Sequence, residues 1–234
     1  MSESYAIAIE PRPALPVAGS DKLFPVRRVY CIGRNYAAHA REMGGDPTRE
    51  PPFFFAKAAD TLQPVPAGQT VEHPYPPQSS NYHHEIEMVV ALKSGGRDIP
   101  ESEALNHVFG YAVGLDMTRR DLQDEAKQLR RPWESGKSSD LSGPCGPIHT
   151  VEEVGHPSKG AIGVTVNGQP KQHGDLSDMI WSVAEQIAIL SRFYELKAGD
   201  VIFSGTPEGV GKVERGDVMV GSVEGLGEIK LKVV

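Results

Sequence analysis

A chain of 234 residues with 39% hydrophobic and 24% charged side chains can bury a full core and has the composition of a globular protein. A net charge of −7 argues against nucleic acid or an anionic membrane as the main partner, and no apolar run approaches a membrane span. The expectation is a cytoplasmic protein with a small-molecule partner, and the isolated Cys31 and Cys145 fit it, since they form neither a CxxC pair nor a disulfide framework. The 25 Gly and 19 Pro point to many turns and short strands.

In chain order, the alternating run Tyr5 to Ile9 and the Pro-containing stretch after it read as a small N-terminal strand or arm over residues 1–28. Residues 29–234 show no repeat and no linker and read as one main domain. Val29 to Ile32 is a buried strand. Gly33-Arg34-Asn35 turns it into an Ala-rich helix from Tyr36 to Met43, with Asn35 as its cap and Gly44-Gly45 as its stop. His39 and Glu42 share a face of that helix. They are either an exposed pair or a general base with its orienting carboxylate on a short, glycine-flanked, movable element. The apolar run from Phe53 ends in Lys57, and Leu62 to Ser80 reads as a long surface connection.

The next stretch organises the chain. In Glu85-Ile86-Glu87-Met88 a strand throws both carboxylates to one face and Ile86 and Met88 to the other. Such an E-x-E pair is either a solvated strand face or half of a hard-metal site, because paired carboxylates away from water need a cation or a proton. Gly110 to Leu115 is another apolar strand, and it delivers Asp116 where a neighbouring strand can place a third carboxylate beside the first two. Three such oxygens suit Mg²⁺ or Mn²⁺ with open water positions better than zinc. His83 and His84 rank below them, since one must leave the opposite face. On a helix from Thr118, Arg120 and Gln123 lie together and can face the metal, followed by Lys137, whereas Arg119, Asp124, Lys127 and Arg131 read as a solvated face.

The second half reads mostly as scaffold. Gly163 to Val166 enters an Asn167-Gly168 hairpin turn. Ser177 to Phe193 reads as the longest helix, capped by Ser177, with Ile180, Val183, Ile187, Leu190 and Tyr194 as its core stripe. Val201 to Ser204 and two closing strands, Val218 to Val223 and Glu228 to Val234, follow. The loop Gly205 to Gly211 is no phosphate loop, since Val213 follows Lys212 where Ser or Thr is required. It reads as a tight turn whose Thr206 hydroxyl and backbone N–H groups line a site.

Together, Gly33-Arg-Asn-Tyr-Ala-Ala-His39, His84-Glu-Ile-Glu87, Leu115-Asp-Met-Thr-Arg-Arg-Asp-Leu-Gln123, Gly136-Lys-Ser138 and Ser204-Gly-Thr-Pro-Glu-Gly-Val-Gly211 resemble the fumarylacetoacetate hydrolase family, in its short acylpyruvase branch. The resemblance implies an α+β fold, a mixed β-sheet roll with peripheral helices, assembled as a homodimer. It implies Mg²⁺ or Mn²⁺ at Glu85, Glu87 and Asp116 and a lid helix carrying His39 and Glu42. It also implies a substrate site at Arg120, Gln123, Lys137 and Thr206, with Lys57 beside them. The activity it implies is cleavage of a 2,4-diketo acid, fumarylpyruvate above others, in aromatic catabolism, with His39 and Glu42 activating water and Lys137 and Gln123 steadying the oxyanion. An oxaloacetate decarboxylase and a hydroxydienoate isomerase or decarboxylase are the alternatives.

Overall fold

The computed structural model describes residues 5–8, 10–42 and 50–234. Its centre is the strand Ile86–Leu92, buried along its whole length. Ile86, Met88, Val90 and Leu92 face one core, whereas Val89 and Ala91 face a second. A strand buried on both faces needs layers on both sides, and the chain supplies them. The sheet containing it runs in the order Phe53–Lys57, Arg28–Gly33, Asp200–Phe203, Ile86–Leu92, Val108–Leu115, Gly143–Cys145, Leu62–Pro64. It is mixed, since Asp200–Phe203 is parallel to Arg28–Gly33 and antiparallel to Ile86–Leu92.

On one face lies a five-stranded sheet in the order Gln169–Asp175, Ala161–Val166, Val218–Val223, Gly227–Val233, Thr70–His73. Its Ile162, Val164, Met219, Ile229 and Leu231 join the first core, as do Val183, Ile187 and Leu190 of the helix Val183–Phe193. The other face is covered from the N-terminal side, where Leu15, Val17, Phe24 and Val26 pack on Val29, Cys31, Val201 and Phe203. The result is an α+β roll of curled mixed sheet with helices at its edge, as the motifs imply. Both cysteines are free and buried, and burial pushes both thiols well above their ordinary range.

Several predicted elements move. Residues 5–8 form no strand, and Ile9 lies outside the described residues. The first hairpin instead pairs Ala14–Pro16 with Leu23–Pro25, where Leu15 and Phe24 have a core to enter. The stretch read as a connection from Leu62 to Ser80 contains two strands, each aligned in parallel with a distant partner. The predicted helix from Ser177 begins only at Val183, capped by Ser182 in a capping box with Glu185. Asp175 caps a separate short turn, Leu176–Asp178. The intervening backbone is drawn away from helical pairing by Asn35. The Ile180 N–H donates to the Asn35 carbonyl at 2.7 Å, and the Trp181 N–H to its side-chain oxygen at 2.8 Å. Asn35 therefore clamps two loops and does not cap the helix Ala37–Glu42, as its position had predicted. The predicted stop at Met43 to Gly45 lies outside the described residues. The Asn167-Gly168 turn is as expected, with φ of 52° and 75°, both positive as its turn type requires.

Candidate active site

Antiparallel pairing of Ile86–Leu92 with Val108–Leu115 sets Glu87 opposite Gly114 and Ile86 opposite Leu115. The Asp116 N–H then donates to the Glu85 carbonyl at 2.9 Å, which carries the pairing one step past the strand end. The predicted single strand is interrupted at Glu85. Tyr82–His84 belongs to a small sheet with Thr118–Arg119 and Gly211–Val213, and Gln172 bridges the break by accepting from the Ile86 N–H at 3.0 Å. The break leaves the carboxylates together. Glu85, Glu87 and Asp116 are all buried, with ligand oxygens within 4.8 Å of one another.

Buried cations surround them. Lys137 Nζ donates to Glu85 Oε2 and to Asp116 Oδ2, each at 2.7 Å. Lys57 Nζ lies 2.9 Å from Asp116 Oδ1 and donates to Ser142 Oγ at 3.0 Å and to the Lys137 carbonyl. Arg120 donates to Glu85 Oε1 and, at 2.6 Å, to Gln123 Oε1. Gln123 thus has its amide NH₂ left to donate. The turn that brings in Lys137 presses so closely on Gln123 that a Cβ at Gly136 would stand 2.8 Å from the Gln123 backbone nitrogen. A side chain at that position would push Lys137 away from the carboxylates.

The charges are unevenly settled. Burial works to raise the Glu85 carboxyl, but Lys137, Arg120 and His39 outweigh it and hold the group well below the ordinary carboxylate range. Burial pushes Glu87 far the other way, with Asp116 and Glu85 adding repulsion that Lys137 and the Gly205 N–H, 2.8 Å from its Oε2, do not cancel. Lys137 is raised, because Asp116 and Glu85 overcome the burial that would lower it. Glu87 is therefore the group that demands a further positive charge.

The helix Ala37–Glu42 closes the site. His39 is buried, and its Nδ1 meets Glu42 Oε2 at 3.1 Å. The Gly209 N–H donates to both Glu42 oxygens at 3.2 Å, which ties this helix to the glycine loop. In that loop Gly205 has φ of +96°, and a Cβ there would fall 2.5 Å from Asn35 Cβ, so only glycine allows the two loops to meet. Thr206 Oγ1 accepts from Gln172 Nε2 at 2.8 Å. All ten predicted site residues converge: His39, Glu85, Glu87, Asp116, Arg120, Gln123, Lys137 and Thr206 line one cavity, Lys57 supports its floor, and Glu42 holds His39.

His84 is turned to Gln172, with Nδ1 to Oε1 at 2.9 Å, and stands outside the cluster of ligand oxygens that Glu85, Glu87 and Asp116 form. His83 hydrogen-bonds Asn81 and is pushed down to about 4, by burial first and then by Arg120. Lys127 corrects the expectation of a solvated face, since it is half-buried, lies 5.5 Å over the Trp133 ring and lines the cavity. Sequence reasoning also missed Arg34, Phe53, Phe55 and Trp133 on the cavity wall and Gln172 behind Thr206. Arg34 has φ of 57°, a conformation that ordinary turn signals did not mark.

The donor set fits a divalent cation. Asp116 Oδ1 is buried without a hydrogen-bond partner, because Lys57 approaches it out of line, and it lies among oxygen donors of the kind Mg²⁺ and Mn²⁺ take. A curled mixed sheet with a buried carboxylate triad, a ring of cations and a histidine closed over both defines a metal-dependent enzyme. The chain belongs to the fumarylacetoacetate hydrolase family: residues 28–234 match the family described as Fumarylacetoacetate (FAA) hydrolase C-terminal. Fumarylpyruvate hydrolase of Ralstonia sp is 46% identical over 188 residues, 80% of this chain and 95% of that protein. The crystal structure of fumarylpyruvate hydrolase from Pseudomonas aeruginosa in complex with Mn²⁺ and pyruvate is 57% identical, with a TM-score of 0.97 over 99% of both chains. The mitochondrial oxaloacetate tautomerase of Homo sapiens is 37% identical over 207 residues, 88% of this chain and 91% of that one.

Proposed function

We propose that this chain is a Mn²⁺- or Mg²⁺-dependent hydrolase that splits fumarylpyruvate into fumarate and pyruvate. The observation that carries the reading is the closure of His39 and Glu42 over the buried carboxylate triad, in a chain 57% identical to the Pseudomonas enzyme. Glu85, Glu87 and Asp116 would hold a divalent ion, and it would supply Lewis acidity to the 2-keto acid end of the substrate. Charge supports the match. Lys57, Arg120 and Lys137 balance the three carboxylates, so the two charges of the ion remain to meet a substrate with two carboxylates.

The remaining steps belong to the chain's own groups. Glu42 holds His39 by Nδ1, which leaves Nε2 to take a proton from water as the water oxygen adds to the carbonyl distal to the keto acid. The oxyanion that forms needs donors already in place. Lys137 has spent two of its N–H groups on Glu85 and Asp116 and keeps one, and Gln123 keeps its amide NH₂. Preorganised donors of this kind contribute roughly 2–4 kcal/mol each. The bond between the former carbonyl and the methylene then breaks, leaving fumarate and the enolate of pyruvate, whose methylene carbon takes up the proton that His39 drew from water. Arg120 and Thr206 orient the keto acid end. The same reading places the protein in the cytoplasm as a homodimer serving aromatic catabolism. Among the described residues no helix is long and apolar enough to cross a membrane.

A second reading, oxaloacetate tautomerase, draws on relatives of that name at 36% to 38% identity. Tautomerisation needs a proton carried between carbon and oxygen and no attack by water, so it leaves the Glu42-held His39 without its hydrolytic task. The test is product analysis with Mn²⁺-loaded protein and fumarylpyruvate. Fumarate and pyruvate in equal amounts support the proposal, and intact substrate rejects it.

A further inference from the structure

The cavity is larger in chemistry than the keto acid end requires. Beyond the triad its wall is aromatic and continuous: Lys137 Nζ stands 5.1 Å from the Phe55 ring, Phe55 lies 5.7 Å from Trp133, and Phe53 meets Trp133 edge-on at 5.5 Å. Lys127 Nζ lies over the Trp133 ring, 5.5 Å from its centroid. Arg34 lines the same cavity from the turn after Gly33, half-buried and with no hydrogen bond or ion pair among the described residues. Lys127 has one acidic partner, Asp124 at 3.1 Å, half-exposed on its own helix.

Two cations thus line a cavity whose buried Glu85 and Asp116 already have cationic partners of their own. Burial lowers the Lys127 ammonium first, Asp124 opposes that, and the charges of Arg120 and Arg34 add to the lowering. The half-exposed Asp124 is a counter-ion for Lys127 alone, so bringing the Arg34 and Lys127 charges together still raises the energy of the free protein, and an anion placed between them relieves it. Phe55 and Trp133 offer a flat conjugated chain an aromatic surface to lie against, and Arg34 and Lys127 are the cations available to an anionic group at its end.

We propose that Arg34 and Lys127 form a second anion subsite, which binds the distal carboxylate of a dicarboxylic acylpyruvate and selects it over monocarboxylic ones. The subsite rests on the acylpyruvate reading for its substrate. Its recognition of a distal carboxylate can be measured without turnover.

The probes are 2-oxoheptanedioate and 2-oxoheptanoate, which share the 2-keto acid end, match the carbon count of fumarylpyruvate and differ only in the distal carboxylate. Calorimetric titration of Mn²⁺-loaded wild-type protein is expected to show the diacid bound roughly tenfold or more tighter, as a charge-assisted contact predicts. Arg34→Gln and Lys127→Gln, each checked for an unchanged thermal midpoint, are expected to lose most of that preference and to bind the diacid more weakly. Equal binding of both acids by the wild type overturns the subsite, as does a preference that survives in both variants. Failure of the acylpyruvate reading looks different, because fumarylpyruvate then stays uncleaved while the calorimetric preference persists.

Discussion

The floor and the cover of the site are built on opposite terms. Glu87 and Asp116 come from the ends of paired strands buried on both faces, and their carboxylates are fixed by the same ladder that holds the core. His39 and Glu42 come from the helix whose described residues are Ala37–Glu42, held by the Asn35 clamp before it and by the tie of Glu42 to Gly209. Charge placement is therefore architectural, whereas the proposed proton-transfer group, His39, sits on a separate short element. Changes to the floor should cost stability or metal binding, and changes to the cover should cost chemistry alone.

The largest effect is expected on the floor. Lys137→Ala leaves Glu85 and Asp116 facing each other without their shared ammonium, and removing one partner of a buried ion pair costs about 3–5 kcal/mol. Denaturant unfolding of the metal-free protein should show that loss, and an unchanged midpoint would mean that the floor is not held by its charges. Next comes Glu87→Gln, which is expected to weaken Mn²⁺ binding by roughly 100-fold while the fold persists. Its carboxyl titrates above the ordinary range, so the metal-free fold binds this proton more tightly than the unfolded chain does. The metal-free fold therefore loses stability as pH rises from the ordinary carboxylate value through the raised one. Mn²⁺ competes with the same proton, so its affinity should climb across that window in the wild type and stay flatter in Glu87→Gln.

The cover should behave differently. His39→Ala is expected to lower hydrolysis by roughly 10²–10⁴-fold with Mn²⁺ affinity and thermal midpoint preserved, and weakened metal binding would erase the distinction between the two regions. Glu42→Ala should be smallest, a loss of about tenfold in kcat/KM, because it frees the His39 ring and the Gly209 tie without removing the base.

Much of this division was legible in the sequence. The E-x-E spacing, an apolar run ending in Asp116, and the three-residue separations of His39 from Glu42 and Arg120 from Gln123 grouped the residues that the fold brings together, because strand and helix periods translate directly into shared faces. Lys57 was visible only as a cation at the end of an apolar run. What remained hidden depends on contacts between distant segments. Asn35 looks like a cap because its neighbours are helical, yet its amide is spent on Trp181 and Ser204, which no local pattern encodes. The same clamp explains why the helix predicted from Ser177 begins late. Arg34 and Lys127 were hidden for another reason. A charged residue on an amphipathic helix or in a turn reads as solvated unless a wall such as Trp133 is known to stand beside it. The strands Leu62–Pro64 and Thr70–His73 are short, proline-flanked and paired in parallel with partners far along the chain, so composition marked them as loop.

The most direct measurement sets fumarylpyruvate cleavage beside oxaloacetate turnover in the same Mn²⁺-loaded preparation, with products identified and kcat/KM compared for wild type and His39→Ala. The account predicts fumarate and pyruvate at a much higher kcat/KM than any conversion of oxaloacetate, and a cleavage rate that collapses in the variant. Rapid tautomerisation or decarboxylation of oxaloacetate with no cleavage of fumarylpyruvate would contradict it, and His39 and Glu42 would then be a proton relay without a hydrolytic water.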